Sequence, residues 1–164
     1  AMSLQSGLIL EFGVRHGTSI RQLASFTSKP IYGFDSFEGL PEDWHQESKE
    51  VYSTRGKIPK APYHVTLIQG WFEETLPLFL EKREEDVALI NIDCDIYSST
   101  KTVLDLLSDR IKKGTIIIFD EYIGNLHWEE DEHKAFTESV NRYQWKYEYL
   151  FYSAYTKQIV VRIN

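Results

Sequence analysis

The chain has 164 residues and is 42% hydrophobic, which is enough apolar material for one buried core. Its formal charge is −7 and its basic residues form no stripe, so nucleic acid is not an expected partner. No apolar run approaches the roughly 20 residues that cross a bilayer, so a membrane is not an expected partner either. Cys94 is the single cysteine, which excludes an internal disulfide framework and predicts a small buried side chain. We therefore expect one domain, residues 1–164, in the cytoplasm.

Two glycines separate the first predicted strand from the first predicted helix. Residues 1–3 resemble a cloning remnant, and the apolar run Leu8–Phe12 then predicts a strand. The helix that follows is predicted to carry these apolar residues on one face: Ile20, Leu23, Ala24 and Phe26. Gly13 and Gly17 allow tight backbone geometry, and the helix start offers free N–H groups to a ligand. The spacing lacks the G-x-G-x-x-G pattern and a P-loop lysine, so pyrophosphate binding is disfavoured, and an ordinary strand-to-helix turn is the alternative.

An acidic residue ends the second predicted strand, Pro30–Asp35, about 20 residues after the glycine turn. Rossmann-type folds place the carboxylate that binds ribose hydroxyls at this position. Asp35 is therefore the predicted ribose ligand, and a role as a turn acid or helix cap is the alternative.

A long irregular stretch, Phe37–Pro62, comes next and contains glycines, prolines and a charged middle. In so small a domain, a loop of this length is more often a functional lid than a simple connection. Three of its side chains are candidates for facing a substrate, with packing inside the loop as an equal alternative: Trp44, His45 and Tyr52.

Carboxylates follow the fourth and fifth predicted strands, residues 87–92 and 115–119. The fourth strand is nearly all apolar, as is typical of a central parallel strand covered on both faces. The acids that follow the two strands are Asp93, Asp95, Asp120 and Glu121. Neighbouring parallel strands would bring Asp93, Asp120 and Glu121 to one edge of the sheet. Three carboxylates at one edge indicate a site for a hard cation.

The remaining elements are the third predicted strand, Tyr63–Gln69, with a short helix after it, two further helices and a hairpin. Ser98 or Ser99 is predicted to cap the helix between the fourth and fifth strands. The acidic run Glu129–Glu132 is predicted to crowd the first turn of the last helix, where the dipole favours it without a ligand. Residues 146–152 and 156–163 alternate in polarity and predict an antiparallel hairpin. Together the elements predict a seven-stranded α/β sheet with its last strand antiparallel.

Five motifs carry a family resemblance, and they occur in order along nearly the whole chain. They are EFGVxxGxS at 11–19, GFDSFEGLP at 33–41, GxFxxTLP at 70–77, DxDxYxST at 93–100 and GxIxxxD at 114–120. With these motifs the chain resembles class I S-adenosylmethionine-dependent methyltransferases, and among them the macrocin-type sugar O-methyltransferases. The resemblance implies a Rossmann-like sheet with the strand order 3-2-1-4-5-7-6.

The resemblance also implies roles for individual residues. Those expected to shape the methionine and ribose pocket are Glu11, Gly13, Gly17 and Ser19, with Asp35 and Ser36 holding the ribose. Those expected to border the adenine are Gln69, Gly70, Trp71 and Phe72. Magnesium, or calcium in its place, is expected at Asp93, Asp120 and Glu121, where the family's second aspartate is here the longer Glu121. Asp93 is the candidate for both metal ligand and catalytic base, and Asp95 is a substitute base or supports the metal ligands, with capping of the next helix as an equal alternative.

The predicted function is transfer of a methyl group from S-adenosylmethionine to a hydroxyl of a sugar or glycosylated natural product, assisted by magnesium. One alternative is a non-catalytic S-adenosylmethionine-binding assembly or regulatory module. An NAD-binding oxidoreductase is a weaker alternative because the dinucleotide fingerprint is missing. The family's helices before the first strand are almost absent here, so the acceptor pocket is expected to be open or completed by a second subunit in a homodimer.

Overall fold

The computed structural model describes residues 5–164, so the interpretation of residues 1–3 lies outside it. The strands in this range are β1 (Leu8–Phe12), β2 (Ile31–Asp35), β3 (Val65–Gln69), β4 (Val87–Ile92), β5 (Ile116–Phe119), β6 (Tyr147–Tyr152) and β7 (Ile159–Ile163). The α-helices are α1 (Thr18–Ser25), α2 (Phe72–Leu80), α3 (Tyr97–Leu106) and α4 (Glu132–Tyr143), and a short 3-10 helix covers Lys49–Tyr52. Strands and helices alternate up to α4, as the sequence predicts.

All seven strands belong to one sheet with the order β3-β2-β1-β4-β5-β7-β6. The first five strands are parallel, and β7 runs antiparallel to both β5 and β6. The predicted α/β fold, strand order and antiparallel last strand are therefore confirmed. Every residue of β1 is buried, since helices cover both faces of a parallel sheet.

Two apolar clusters lie on the two faces of the sheet because successive strand residues point to opposite sides. Phe12 belongs to one cluster and stacks on Phe34 with ring centroids 5.0 Å apart, and helices α2, α3 and α4 contribute side chains to this cluster. Ile9 belongs to the other cluster, where Ile20 of α1 packs. This three-layer arrangement leaves the carboxyl ends of the parallel strands open, and these ends form the site described below.

Several predicted helix details are wrong. Phe26 lies just past the end of α1 and is 78% exposed, because the helix ends before its side chain can turn back to the sheet. Helix α3 begins directly after Ile96, which makes no side-chain cap, so Ser98, Ser99 and Asp95 are not the cap. The Ser98 hydroxyl instead donates a 2.6 Å hydrogen bond to Glu42 in the long loop.

The acidic run before α4 is also placed differently from the prediction. Helix α4 starts at Glu132, so Glu129, Glu130 and Asp131 precede it. Asp131 and Glu132 are buried, at 5% and 0% exposure, which a solvated first turn does not explain. One Glu132 oxygen accepts the backbone N–H of Glu121 at 3.1 Å, while its other oxygen has no partner among the described residues. In residues 5–164 no helix has both the length and the apolarity to cross a membrane.

Candidate active site

The glycine turn after β1 lies directly against the end of β4. Gly13 has a φ of 91°, and a Cβ atom placed on it would lie 1.7 Å from the carbonyl oxygen of Asp93. Only glycine permits so close an approach of two backbones. Gly17, with a φ of 74°, then begins α1 in the left-handed region, and its N–H donates to Val14 at 2.7 Å. The turn therefore places the start of α1 beside the carboxyl end of β4.

Glu11 lies beneath this turn and is fully buried. Its carboxylate accepts the Ser19 hydroxyl at 2.8 Å and the Asn91 amide at 3.2 Å, which ties α1 and β4 to β1. Burial raises the pKa of Glu11 to about 7, with a further contribution from the charge of Asp120, and the two hydrogen bonds oppose this rise. Glu11 thus shapes the turn from below without forming part of the cavity wall.

Asp35 holds the turn from the neighbouring strand. One carboxylate oxygen accepts the backbone N–H groups of Val14 at 2.8 Å and Arg15 at 2.6 Å. The other accepts the N–H of Phe37 at 2.6 Å, and the next residue, Ser36, donates its hydroxyl to the carbonyl of Gly39 at 2.9 Å. Asp35 therefore acts as a turn acid, the alternative role considered for it above. Its role as a ribose ligand stays a prediction.

A cavity of about 360 Å³ opens above the carboxyl ends of the strands. It brings together ten of the predicted site residues: Gly13, Ser19, Asp35, Ser36, Trp71, Phe72, Asp93, Asp95, Asp120 and Glu121. Four predicted residues do not line it, namely Glu11, Gly17, Gln69 and Gly70. Its apolar wall is formed by Trp71 and Phe72 at the start of α2, with the Phe72 ring edge-on to Phe12 at 5.2 Å.

The cavity also contains Tyr52, which was a candidate for facing a substrate, and residues that were not predicted to belong to the site: Val14, Arg15, His16, Thr18, Gly39, Leu40, Pro41, Glu73, Cys94 and Ser99. Cys94 is buried at 4% exposure and contacts Thr100, which confirms its predicted role as a small buried side chain. Loop residues such as Leu40 and Tyr52 follow no strand end and no periodic pattern. Only the unusual length of their loop pointed towards them.

Four carboxylates lie at one edge of this cavity. The ladder between strands extends one residue beyond β4 and β5, since Asp93 N–H donates to Phe12 at 2.8 Å and Asp120 N–H donates to Ile92 at 3.0 Å. Asp95 lies in a tight turn with a φ of 62°, closed by a 2.7 Å bond from the Ile96 N–H to the Cys94 carbonyl. A left-handed conformation away from glycine is uncommon and recurs at functional sites.

Burial and mutual repulsion both disfavour negative charge at this edge. Burial raises the pKa of Asp93 to about 9, and the charges of Asp120, Asp95, Glu11 and Glu121 add to the rise. Burial also raises the pKa of Asp95 to about 7, with Glu121 and Asp120 adding to the rise and Arg15 opposing it. Such a group of acids favours either bound protons or a cation.

The β6–β7 turn supplies cationic and amide partners to two of the acids. Gln158 donates its side-chain amide to Asp120. The Lys157 ammonium lies 3.2 Å from Glu121, which also accepts the Asn125 amide at 3.4 Å. The carboxylate oxygens of this edge are spread apart: those of Asp93, Asp120 and Glu121 do not all lie within 4.8 Å of one another. Their oxygen-only donor set and mutual repulsion fit a hard cation, which would have to draw the three together and compete with Lys157.

Comparison with known proteins places this geometry in a family. Residues 10–122 match the family described as a methyltransferase domain. The chain belongs to this methyltransferase family. The predicted class I methyltransferase resemblance is thereby confirmed, and the sheet edge described above lies within or next to the matched segment of the methyltransferase domain.

One curated relative of the chain is an O-methyltransferase with a named substrate. The chain is 31% identical over 141 residues to the 8-demethyl-8-(2,3-dimethoxy-alpha-L-rhamnosyl)-tetracenomycin-C 4'-O-methyltransferase of Streptomyces olivaceus. The alignment covers 71% of this chain and 53% of that protein, so the methyltransferase domain spans about half the length of this relative.

Solved structures share the fold. The calicheamicin methyltransferase CalS11 has a TM-score of 0.79 and 24% identity, and the match covers 96% of this chain and 72% of that one. The O-methyltransferase NovP has a TM-score of 0.69 and 21% identity over the same shares. MycE from the mycinamycin pathway, in complex with Mg and SAH, has a TM-score of 0.59 and 16% identity over 98% of this chain and 46% of that one.

The long loop of the methyltransferase domain is docked onto the segment before α4. The Trp44 indole N–H donates to Asp131 at 3.0 Å, and His45 Nε2 lies 2.9 Å from the same carboxylate. Tyr52 instead lines the cavity, where the Arg15 guanidinium lies 4.9 Å from its ring centroid. Of the three aromatic candidates, Tyr52 faces the cavity, whereas Trp44 and His45 anchor the loop.

Proposed function

We propose that residues 1–164 act as one methyltransferase domain, which transfers a methyl group from S-adenosylmethionine to a hydroxyl of a sugar or glycosylated natural product. One observation carries the proposal: a single cavity joins a glycine turn and helix start to an edge of half-buried carboxylates. The printed name of the Streptomyces olivaceus relative, a 4'-O-methyltransferase of a rhamnosyl compound, supports a sugar hydroxyl as the acceptor.

The cofactor would occupy the β1–β2–β3 side of the cavity. The first N–H groups of α1, at Thr18 and Ser19, suit the methionine carboxylate because a helix start favours an anion. Ser36 and Asp35 lie at the end of β2, within reach of a ribose, and Trp71 offers an apolar wall for the adenine. This arrangement leaves the carboxylate edge for the acceptor.

Asp93, Asp120 and Glu121 would hold magnesium, or calcium in its place, at the acceptor side. Both are hard cations that take oxygen ligands, and the MycE structure with Mg and SAH supports the assignment. When bound, the ion orients neighbouring acceptor hydroxyls and lowers their pKa. Glu121 reaches the site with one more methylene than the aspartate of the family pattern, so it would have to leave Lys157.

Asp93 would take the proton of the reacting hydroxyl. Methyl transfer from a sulfonium is a direct displacement, so the acceptor oxygen must lie in line with the methyl group and lose its proton. Burial raises the pKa of Asp93 to about 9, so a positive charge in the cavity, from the sulfonium or a bound cation, would be needed to favour the ionised form that accepts the proton. Asp95 lies two residues away in its strained turn and is the substitute base.

The alternative is a module that binds S-adenosylmethionine without turnover. The contacts of Lys157 and Gln158 favour it, because they give Glu121 and Asp120 partners without a metal ion. A second copy that completes the acceptor side is a further proposal, and the homodimer and the cytoplasmic location stay predictions.

The deciding experiment is a methyl-transfer screen with labelled S-adenosylmethionine over free sugars, glycosides and catechols, with magnesium and with chelator. We expect transfer to a glycoside hydroxyl that depends on magnesium. Calorimetry with S-adenosylhomocysteine and with NAD completes the test. Binding of S-adenosylhomocysteine without any transfer would support the binding module, and binding of NAD alone would overturn both proposals.

Asp35→Ala should weaken the binding of S-adenosylmethionine and S-adenosylhomocysteine by roughly 1–3 kcal/mol, through lost charge-assisted hydrogen bonds to the ribose. Titration calorimetry measures the change. Asp43→Ala is a matched control, since Asp43 also accepts a loop N–H, that of Lys49 at 2.9 Å, but does not line the cavity. Equal affinity in the Asp35 variant and the parent would place the ribose elsewhere.

A further inference from the structure

A second group of ligating side chains lies outside the methyl-transfer cavity. His45 in the long loop and His127 and Glu130 in the segment before α4 each offer a ligand atom, and these atoms all lie within 4.8 Å of one another. All three side chains are exposed, and none lines the cavity. We propose that this cluster binds a zinc ion, which would clamp the long loop to the segment before α4.

The donor set distinguishes this cluster from the carboxylate edge. Two imidazoles and one carboxylate suit zinc, whereas ligand sets made only of oxygen suit magnesium and calcium. Three protein ligands of this type leave a fourth tetrahedral position for water. The imidazole rings of His45 and His127 are stacked, with centroids 4.4 Å apart and planes 28° from parallel, so the rings would have to turn for both lone pairs to meet one ion. His127 Nδ1 is 3.8 Å from a Glu130 oxygen.

A buried carboxylate orients the His45 ring. His45 Nε2 lies 2.9 Å from Asp131, and since an ionised carboxylate only accepts, Nε2–H is the donor and Nδ1 of the neutral ring carries the lone pair. Metal-binding histidines commonly donate their second ring N–H to such a carboxylate, which fixes the tautomer. Asp131 is itself fixed, because it is 5% exposed and also accepts the Trp44 indole N–H at 3.0 Å.

The local charge also suits a divalent cation. Glu130 and Asp131 are adjacent acids beside two imidazoles, and Asp131 has no cationic partner among the described residues other than His45. In the free protein the loop is held here by the Trp44 and His45 hydrogen bonds to Asp131. A zinc ion would add coordinate bonds across the same contact and stabilise the docked loop by mass action.

Zinc titration of the untagged protein tests the proposal, with excess magnesium present to occupy the carboxylate edge. We expect one zinc site, and Co2+ in its place should give the visible absorption of a tetrahedral ion with nitrogen ligands. His45→Ala and His127→Ala should each lower zinc affinity by about 100-fold, and Asp131→Asn by about 10-fold, the range for a group that supports a ligand. Hydrogen exchange of residues 37–62 should slow when zinc is added.

Matched controls lie close in the chain. Glu130→Gln should weaken zinc binding, whereas Glu129→Gln, at the exposed neighbouring residue, should not. His16→Ala removes an exposed histidine that is not in the cluster and should leave zinc affinity unchanged. His127→Ala changes an exposed side chain, so loss of binding there with an unchanged circular dichroism spectrum is not a folding effect. No zinc binding by the parent, or binding that survives both His45→Ala and His127→Ala, would overturn the proposal.

Discussion

Asp93→Asn should lower methyl transfer by a factor of roughly 100 or more, while S-adenosylhomocysteine binds almost as tightly as before. The substitution keeps the size of the side chain and the backbone bond from residue 93 to Phe12. It removes the proposed base and one proposed metal ligand. The proposed cofactor contacts lie at the ends of β1, β2 and β3, so binding and turnover should separate.

Thermal stability gives an independent check on this variant. Burial and neighbouring acids raise the pKa of Asp93 to about 9, so its carboxyl is largely protonated at neutral pH, and a neutral amide of the same size should not lower the melting temperature. Glu74→Gln, on the exposed side of α2, is a control that should change neither turnover nor stability. Full turnover in the Asp93 variant would move the base to Asp95. If chelator leaves turnover of the parent untouched, the metal assignment is wrong, and Asp93 would have to act as a base without metal.

Gly13→Ala should destabilise the fold by about 4 kcal/mol or more, an exceptional effect for a single methyl group. A Cβ atom there meets the Asp93 carbonyl oxygen at 1.7 Å, and backbone atoms cannot move aside as the end of a flexible side chain can. For a chain of this size the melting temperature should fall by about 8–16 °C. Affinity for S-adenosylhomocysteine should fall too, because the strain acts on the turn that borders the cofactor.

Gly56→Ala is the matched control for this strain. Gly56 also has a positive φ, of 73°, but a Cβ atom added there meets nothing within 4 Å. Only the left-handed backbone cost remains, about 1–2 kcal/mol. Differential scanning calorimetry of both variants separates the two contributions. Equal losses of stability would mean that the close approach at Gly13 relaxes without cost.

The sheet was predictable because its strands carry a strong pattern. Residues 87–92 are almost entirely apolar, which is typical of a central parallel strand, and β4 begins and ends at these residues. Once that strand is central, Asp93 must lie at its carboxyl end, close to the end of the neighbouring strand. The acids at the cavity edge follow from this strand order alone.

The partners of those acids were not predictable, since they depend on how distant segments meet. Lys157 and Gln158 reach Glu121 and Asp120 from a turn whose polar residues look like ordinary hairpin residues. Glu132 fits the pattern of a solvated first turn, yet its helix start is packed against the sheet edge and buries it completely. Tertiary packing, which no local pattern encodes, decided both outcomes.

The place of β7 between β5 and β6 has a consequence for synthesis on the ribosome. Strand β5 pairs with β4 on one side, but its other edge waits for β7, which is made about 40 residues later. At bacterial and eukaryotic elongation rates of about 5–20 residues per second, the nascent chain presents that apolar edge for about 2–8 s. During this interval Ile116–Phe119 is a template for pairing with other chains. Nascent-chain chaperones should therefore bind this protein after β5 emerges from the ribosome and dissociate once β7 has emerged and paired with β5.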